Sequence, residues 1–596
     1  ETEIGVSPSV FLSTRENAMR VNYAFLFPLA GLFVDPMRAF DIKRFFPFLN
    51  WPRPTMASLK SDAWAGISVG LVLIPQAVAY ATLAGMPAAT GLYAALLPSV
   101  IGILWGSSAL LAVGPAALTS LLVFGSLSPM AAPASMQWVT LAIWLSIYTG
   151  AIQFALGAFR LGRLSNLVSQ PVIIGFINAA AIIIMMSQLP ALIGVPDLFV
   201  TDIGKVVQRV TNTPAIMLMT SAFGIGTLIM LVLLKRLFPR FPGILLVTIL
   251  GTFLSWLVGY AATGAAVVGD IDKGLPPLAL PAAIPFEHHR ELWSAALVLA
   301  LISFTEAMSS CRVLARKRRE RWDENQELIG QGLAKVASGM SGAFPVSGSF
   351  SRSALNLYAG ATSAWSTLFS AICVLFSLLF LADLLYYLPR SVLAALIIVP
   401  VFGLFDFSAF KRLFAISRHD AAIAIVTFIV TIVAMPRLHW GVVAGITLTM
   451  VSYLYRHMQP RIIEVSEHAD GTLRDSLRFN LPRLAPDVLA VRIDAALNFL
   501  TGAALERFVV THCGNDHDIR RVLLCVGAVN DIDASGVETL ESLQMTLQGL
   551  GMELYVSNIK KQVWDVLDDA GWIKALGQEH IFMTDHEAIL AMRQSA

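Results

Sequence analysis

The sequence predicts an α-helical polytopic membrane protein of fourteen spans, followed by a separate C-terminal α/β domain. Three observations lead there. Hydrophobic residues fill 56% of the 596 positions and charged residues only 14%, with a mean hydropathy of +0.69. An ordinary soluble protein carries roughly 25% charged residues. Apolar runs approaching the roughly 20 residues that cross a bilayer succeed one another as far as residue 457. Finally, the net charge of +2 hides a split: from residue 460 onward stand 12 Lys and Arg against 20 Asp and Glu, leaving 30 and 20 before it. A membrane region near +10 is joined to an acidic tail of −8, and an overall polybasic nucleic-acid binder is excluded.

Gly, Pro and charge breaks place spans near 64–84, 90–107, 114–129, 137–158, 166–196, 216–236, 242–260, 292–311, 323–343, 349–360, 362–383, 386–404, 419–435 and 437–457. The fifth is long enough to be broken. Counted from a cytoplasmic N-terminus, the even-to-odd connections should be basic. They carry Arg160 and Arg163, then Lys235, Arg236 and Arg240, then the run Arg312 to Arg321, then Lys411, Arg412 and Arg418. Of the opposite loops, 85–89 and 130–136 hold no Lys or Arg, while 197–215 and 261–291 hold two each. This orientation makes residues 1–60 an amphipathic cytoplasmic segment without a signal-peptide layout, 61–459 the membrane domain and 460–596 a cytoplasmic tail. The basic run after Cys311 reads as a topogenic loop, with a lipid-binding patch as the alternative. Cys311, Cys373, Cys513 and Cys525 suggest no disulfide framework, and the tail suits a reducing compartment.

The third and tenth spans are too short for unbroken crossings. One follows Val113-Gly114-Pro115 and the other follows Pro345-Val346-Ser347-Gly348. Their positions correspond if the chain is two seven-span halves, 61–260 and 291–459, and paired short, Gly/Pro-interrupted segments point to a transporter site between inverted repeats. A half-helix ending at mid-membrane presents unpaired N–H groups and the positive end of its dipole, so two of them facing each other suit an anion. Gly114, Ala116, Gly348 and Ser349 would let an oxyanion approach the backbone, Thr119 and Ser351 would add hydroxyls, and Arg352 would supply fixed charge at a costly depth. Helix packing by small residues, with Arg352 snorkelling to the surface, is the alternative.

The run Ile74-Pro75-Gln76-Ala77-Val78-Ala79-Tyr80-Ala81, with Gly91-Leu92-Tyr93, Gly106-Ser107-Ser108 and Val113-Gly114-Pro115, resembles the first three spans of the SulP family of sulfate permeases and related anion transporters. Asp323 to Gly332 and Gly348-Ser349-Phe350-Ser351-Arg352-Ser353-Ala354 resemble the ninth and tenth spans. The resemblance runs from about residue 45 onward. It implies two inverted seven-span repeats split into core and gate domains, an elevator-like cycle, a homodimer, and substrate held between the third and tenth spans. Carried over by position, Gln76, Tyr80, Ala116, Ser351 and Arg352 would line the site, and Gly114, Ser349 and Phe350 complete the expected substrate-binding set. Some animal relatives have Phe where this chain has Ala116, which leaves more room here.

Glu306, about fourteen residues into the eighth span, is the other intramembrane charge of note. A carboxylate that is neutral in one state and ionised in another can couple proton and anion movement, and this position resembles the acid linked with proton coupling in symporters of the family. Lys335 departs from the family pattern, since many members have Asn there. It pairs with Glu306 or adds to the field felt by the anion, with a lysine facing a wet cavity as the alternative.

In the tail, strands at 488–493, 521–526 and 552–556 alternate with helices near 501–512 and after Asp531, an α/β layer pattern. Asp533-Ala534-Ser535-Gly536 resembles the motif of the STAS domain, where soluble relatives are phosphorylated on the serine before Gly. Ser535 is therefore a candidate phosphorylation site, with a simple helix cap as the plainer reading. His512-Cys513-Gly514-Asn515-Asp516-His517 matches no standard zinc spacing and reads as a polar loop.

These features predict a secondary active transporter of a small inorganic anion, sulfate first, driven by proton symport. Sodium-coupled bicarbonate symport, dicarboxylate uptake and anion exchange are alternatives of the same family. No P-loop appears, so an ion gradient should supply the energy. No cofactor or metal is expected. The expected partners are the anion (sulfate or bicarbonate), a coupling proton or sodium ion, membrane lipid, a second copy of the chain and a cytosolic protein on the STAS domain. The expected location is a bacterial inner membrane with both termini cytoplasmic. An anion sensor and a membrane-embedded enzyme are the competing classes, the latter lacking clustered catalytic side chains.

Overall fold

The computed structural model describes residues 46–51, 53–194, 214–238, 243–271, 274–278 and 281–594. The expected N-terminal segment up to residue 45 and most of the 197–215 connection lie outside the described residues. The chain divides into two compact units, Glu1–Thr447 and Leu448–Ala596.

The first unit opens with α1 (Met56–Leu83), started by a capping box in which Thr55 and Ser58 exchange side-chain to backbone hydrogen bonds. This satisfies two of the N–H groups that a helix end leaves unpaired. There follow α2 (Ala88–Trp105), strand β1 (Ala112–Gly114), α3 (Ala117–Leu127), α4 (Met136–Ala158), α5 (Gln170–Ile193), α6 (Pro214–Leu237) and α7 (Gly243–Leu257). The second run holds α8 (Phe286–Arg318), α9 (Glu324–Met340), strand β2 (Ser347–Ser349), α10 (Phe350–Tyr358), α11 (Trp365–Phe376), α12 (Ala382–Tyr386), α13 (Arg390–Phe402), α14 (Phe407–Ile416) and α15 (Arg418–Val433). Helix α16 (His439–His457) carries the chain across the unit boundary.

A helix lies over each of the fourteen apolar stretches, and eight of the described helical stretches are long and apolar enough by themselves to cross a membrane. Within the fifth stretch α5 runs without a break from Gln170 to Ile193, with Pro171 in its first turn, where a proline's missing N–H costs nothing, and Gly194 closing it in the left-handed region. The eleventh is interrupted by a π-turn at Ser377–Leu381.

Packing sorts the helices into two groups. In one, α9 lies against α4 and α2, α1 against α11 and α2, and α8 against α4. In the other, α5 lies against α15 and α13, and α13 against α6. The α4–α9 contact depends on small residues: a Cβ on Gly150 would stand 2.6 Å from the Gly332 carbonyl, and one on Gly332 would stand 2.5 Å from Phe154 N. Backbones this close exchange side-chain bulk for continuous van der Waals contact, which drives helix association where lipid removes the hydrophobic incentive.

The second unit is a six-stranded sheet in the order β4-β3-β5-β6-β7-β8, built from β3 (Ile462–Glu467), β4 (Leu473–Asp475), β5 (Val488–Ile493), β6 (Arg521–Cys525), β7 (Glu553–Ser557) and β8 (Ile581–Phe582). Strands β5 to β8 pair in parallel, while β3 and β4 add an antiparallel edge. Among the described residues six helices complete it: α17 (Ser476–Phe479), α18 (Gly502–Asn515), α19 (Ala534–Gly549), α20 (Lys561–Asp569), α21 (Trp572–Leu576) and, at the end, α22 (Asp585–Gln594). Parallel strands are covered on both faces. Leu489, Val491, Val522 and Leu524 point to one core with Leu540 and Leu543 of α19, while Ala490 and Leu523 point to the other with Ala588 and Ile589 of α22.

Two expectations are corrected in this unit. Helix α18 runs to residue 515, so His512 and Cys513 lie on its last turns rather than in a loop. There Cys513 is buried in the core, and His512 Nδ1 sits 2.7 Å from the Phe508 carbonyl. The cap of α19 is Asp533, whose carboxylate accepts from Gly536 N at 2.8 Å. Ser535 falls inside the first turn and does not cap the helix.

Candidate functional site

The two short strands bring distant parts of the sequence together. β1 and β2 pair antiparallel, with Ala112 opposite Ser349, Val113 opposite Gly348 and Gly114 opposite Ser347. Each strand leads directly into a half-length helix, so the N-termini of α3 and α10 begin at the same place. Ala116, the N-cap of α3, has no side chain able to accept from the first turn. Ser349 caps α10 with a long 3.5 Å hydrogen bond from Arg352 N. Unpaired first-turn N–H groups therefore face this junction.

The junction is locked from several sides. Ser99 Oγ of α2 lies 2.7 Å from the Val113 carbonyl, and Ser353 Oγ of α10 accepts from Ala112 N at 2.9 Å. Gly114 has a φ of +157°, and a Cβ there would stand 3.3 Å from Arg352 Nη2 and 4.0 Å from Leu73 Cδ1 of α1. The guanidinium thus lies along bare backbone. Arg352 is 2% exposed, yet its Nε and Nη2 have no partner among the described residues. Gln76 Oε1, Thr119 Oγ1 and Ser120 Oγ are likewise buried without a partner. Buried polar atoms are nearly always hydrogen-bonded, so this cluster of unpaired donors and acceptors marks a place built to receive a polar ligand.

Among the sequence-derived candidates, Gln76 and Tyr80 lie one turn apart on α1, both buried, and α1 packs on both α3 and α10. Tyr80 is within electrostatic reach of Arg352. Gly114, Ala116, Ser349 and Arg352 are brought together. Phe350, 53% exposed, and Ser351, also exposed, lie on the open side of α10, although Ser351 Oγ still reaches Ser349 Oγ at 3.4 Å.

Glu306 and Lys335 make no direct ion pair among the described residues, contrary to one expectation. Lys335 is fully buried and donates from Nζ to Gln153 Oε1 of α4 at 2.8 Å. Gln153 Nε2 donates to the Ala300 carbonyl at 2.7 Å and to Ser303 Oγ at 3.1 Å on α8. Ser347 Oγ of β2 then lies 3.0 Å from the Ser303 carbonyl and 3.2 Å from Glu306 Oε2. The ammonium and the carboxylate are linked through three uncharged residues.

Gln153, Ser303 and Ser347 escaped the sequence reading because neutral polar residues on apolar spans carry no signal of their own. Two buried carboxylates were also passed over. Glu327 accepts from the backbone N–H of Ser107 and Ser108, and Asp62 from those of Thr362 and Ser363. Glu327 falls inside the ninth apolar stretch, where its charge was the available clue, whereas Asp62 lies before the first stretch and gave none.

Residues 59–427 match the profile of the Sulfate permease family, and residues 483–588 match that of the STAS domain. The chain belongs to the sulfate permease family. Relatives within it include the Probable sulfate transporter 4.2 of Arabidopsis thaliana, 31% identical over 580 residues that span 93% of this chain and 85% of that one. A probable sulfate transporter of Mycobacterium tuberculosis is 30% identical over 539 residues, spanning 90% of this chain and 96% of that one. Among solved structures, the murine Solute Carrier 26 family member A9 anion transporter in the inward-facing state superposes with a TM-score of 0.84 at 22% identity, covering 100% of both chains. The transmembrane domain of a cyanobacterium bicarbonate transporter gives 0.57 at 23% identity, covering 66% of this chain and 98% of that one. At these identities the likeness is one of fold, a helical membrane fold of transporters with a C-terminal STAS domain.

Proposed function

We propose that this sulfate permease family member is a secondary active transporter of a small inorganic anion, sulfate first, bound where α3 and α10 begin. The observation that carries the reading is Arg352, buried with Nε and Nη2 unpartnered beside two converging helix N-termini. Positive dipole ends, a fixed guanidinium and unpaired hydroxyls together recognise an oxyanion. Gln76, Tyr80, Gly114, Ala116 and Ser349 line the place, and the exposed Phe350 and Ser351 border its entrance. The relatives named as sulfate transporters support the choice of substrate.

In this reading the fourteen helical stretches are fourteen spans in two inverted repeats of seven. The packing supports it: α2 with α9, and α5 with α13, are each partners seven spans apart, as a two-fold axis in the membrane plane requires. The group containing α1, α2, α4, α8, α9 and α11 is the core that carries the anion. The group of α5, α6, α13 and α15 is the gate against which the core slides in an elevator cycle. Glu306 takes the coupling proton. Two copies assemble as a homodimer in a cell membrane, with residues 1–60 and the tail 460–596 in the cytoplasm, the tail open to cytosolic proteins and to phosphorylation at Ser535.

Radiolabelled sulfate uptake by proteoliposomes under an inward proton gradient tests this. Uptake should be stimulated by the gradient, and Glu306→Gln should lose that stimulation while still binding anion. An unchanged pH profile in Glu306→Gln rejects the coupling role. Sodium-stimulated bicarbonate uptake without sulfate uptake moves the assignment to bicarbonate, and absence of uptake for sulfate, bicarbonate, chloride and dicarboxylates rejects transport.

A further inference from the structure

The groups around Glu306 allow its surroundings to be counted as charges. From α10 comes Arg352 and from α9 Lys335, both acting on the carboxylate. From α1 comes the neutral phenol of Tyr80. β2 and α3 carry no titratable residue, and α4 offers neutral Gln153, its Tyr148 being hydrogen-bonded to His289. Glu327 also acts on Lys335, but it stands eight residues away along α9, about 12 Å, and is held by the N–H groups of Ser107 and Ser108. Lys335 itself is fully buried, with Gln153 holding its ammonium. A buried ammonium without a carboxylate in contact is costly, and nothing in helix packing alone requires one at this position.

Resting on the anion-transport reading, we infer that Lys335 is the residue that sets the valence of the transported anion, by adding to the field of Arg352 a second positive charge that is tied to Glu306 through Gln153, Ser303 and Ser347. With Glu306 ionised, the three groups sum to +1, and with Glu306 protonated they sum to +2. The proton-loaded site therefore matches a divalent oxyanion and the unprotonated site does not. Without Lys335 the same two states would be 0 and +1, suited to a monovalent anion. Gln153 is a positioning residue: its carbonyl oxygen holds the ammonium, and its amide anchors that arrangement to α8, the helix that carries Glu306. The Ser303 and Ser347 contacts complete the link, so the ammonium acts on the site through the field and not through a salt bridge that would cancel it.

Coulomb energy is proportional to the charge of the ligand. Removing one fixed positive charge therefore costs a dianion twice the free energy it costs a monoanion at the same place, and the fold-loss for the dianion is the square of that for the monoanion. The test is binding of radiolabelled sulfate to the purified full-length protein, with chloride as the competing monovalent anion, across a range of pH. Lys335→Asn should weaken sulfate about tenfold where chloride weakens about threefold, and Lys335→Arg should restore the preference. In the unmodified protein the sulfate-over-chloride preference should grow as pH falls, and Glu306→Gln should hold it high at every pH. Equal losses for the two anions in Lys335→Asn overturn the inference while leaving the transporter reading intact. If Lys335→Asn does not fold, the unmodified protein and Glu306→Gln decide: a preference that does not change with pH in the unmodified protein overturns it equally. Absence of any anion binding to the unmodified protein overturns the transport reading and this inference with it.

Discussion

Gly114 shows how much one missing side chain does at this site. Its φ of +157° is open to glycine and strained for any other residue, and the Arg352 guanidinium occupies the space beside its Cα. Gly114→Ala should cost about 1 kcal/mol in backbone strain and displace the guanidinium, weakening sulfate binding severalfold in protein that remains folded. Equilibrium binding paired with thermal unfolding separates the two effects. In the tail, the Arg521 guanidinium grips Asp487 with two hydrogen bonds of 2.7 and 2.8 Å and holds its carboxyl below the usual carboxylate range. A depressed native value means that the stabilisation is fully present above the unfolded value near 3.9 and is lost as pH falls below it through the native value. Asp487→Ala should lower the opening free energy of β5 and β6 amides by about 2 kcal/mol at neutral pH, with the difference from the unmodified chain vanishing in acid. Hydrogen exchange on the full chain reads both.

At the scale of single elements, the start of α19 separates a cap from its neighbour. Asp533 accepts from Gly536 N, whereas Ser535 Oγ makes no capping contact and its carbonyl instead accepts from Thr539 Oγ1. Asp533→Ala should destabilise the tail by about 1 kcal/mol, and Ser535→Ala should leave its unfolding midpoint in denaturant nearly unchanged. The sequence pattern located this helix but favoured Ser535 as its cap, because Asp and Ser are equally good caps and only the backbone turn decides which one reaches an N–H. The short helices α3 and α10 were legible for a firmer reason: Gly and Pro just before each one interrupt an apolar run too brief to cross a bilayer. The strands β1 and β2 were not legible. Three residues carry no period, and their pairing joins positions more than 230 apart.

At the scale of the whole molecule, the charge asymmetry and the alternation of basic loops predict a topology with both termini on the cytoplasmic side. Single cysteines on a cysteine-free background check it: Arg316→Cys should react with an impermeant maleimide from the cytoplasmic face only, and Ala132→Cys from the opposite face only. Reaction of both from one side would reject fourteen spans. Membrane depth also explains why Glu306, Arg352 and Lys335 stood out in the sequence. Charge is rare in a span, which makes these three visible, whereas the Gln and Ser residues that connect them look like their surroundings.

The sequence by itself determined the solvent of each region, the number and order of apolar stretches, the family, and the charges of Glu306, Lys335 and Arg352 within those stretches. Hydropathy and charge are properties of local composition, and the bilayer reads them locally. The tertiary structure alone decided that β1 pairs with β2, that Arg352 lies against Gly114 with Nε and Nη2 unpaired among the described residues, and that Lys335 meets Gln153 instead of Glu306. These contacts depend on side-chain reach between helices far apart in the chain, and close approach through residues such as Gly150 and Gly332 sets that reach.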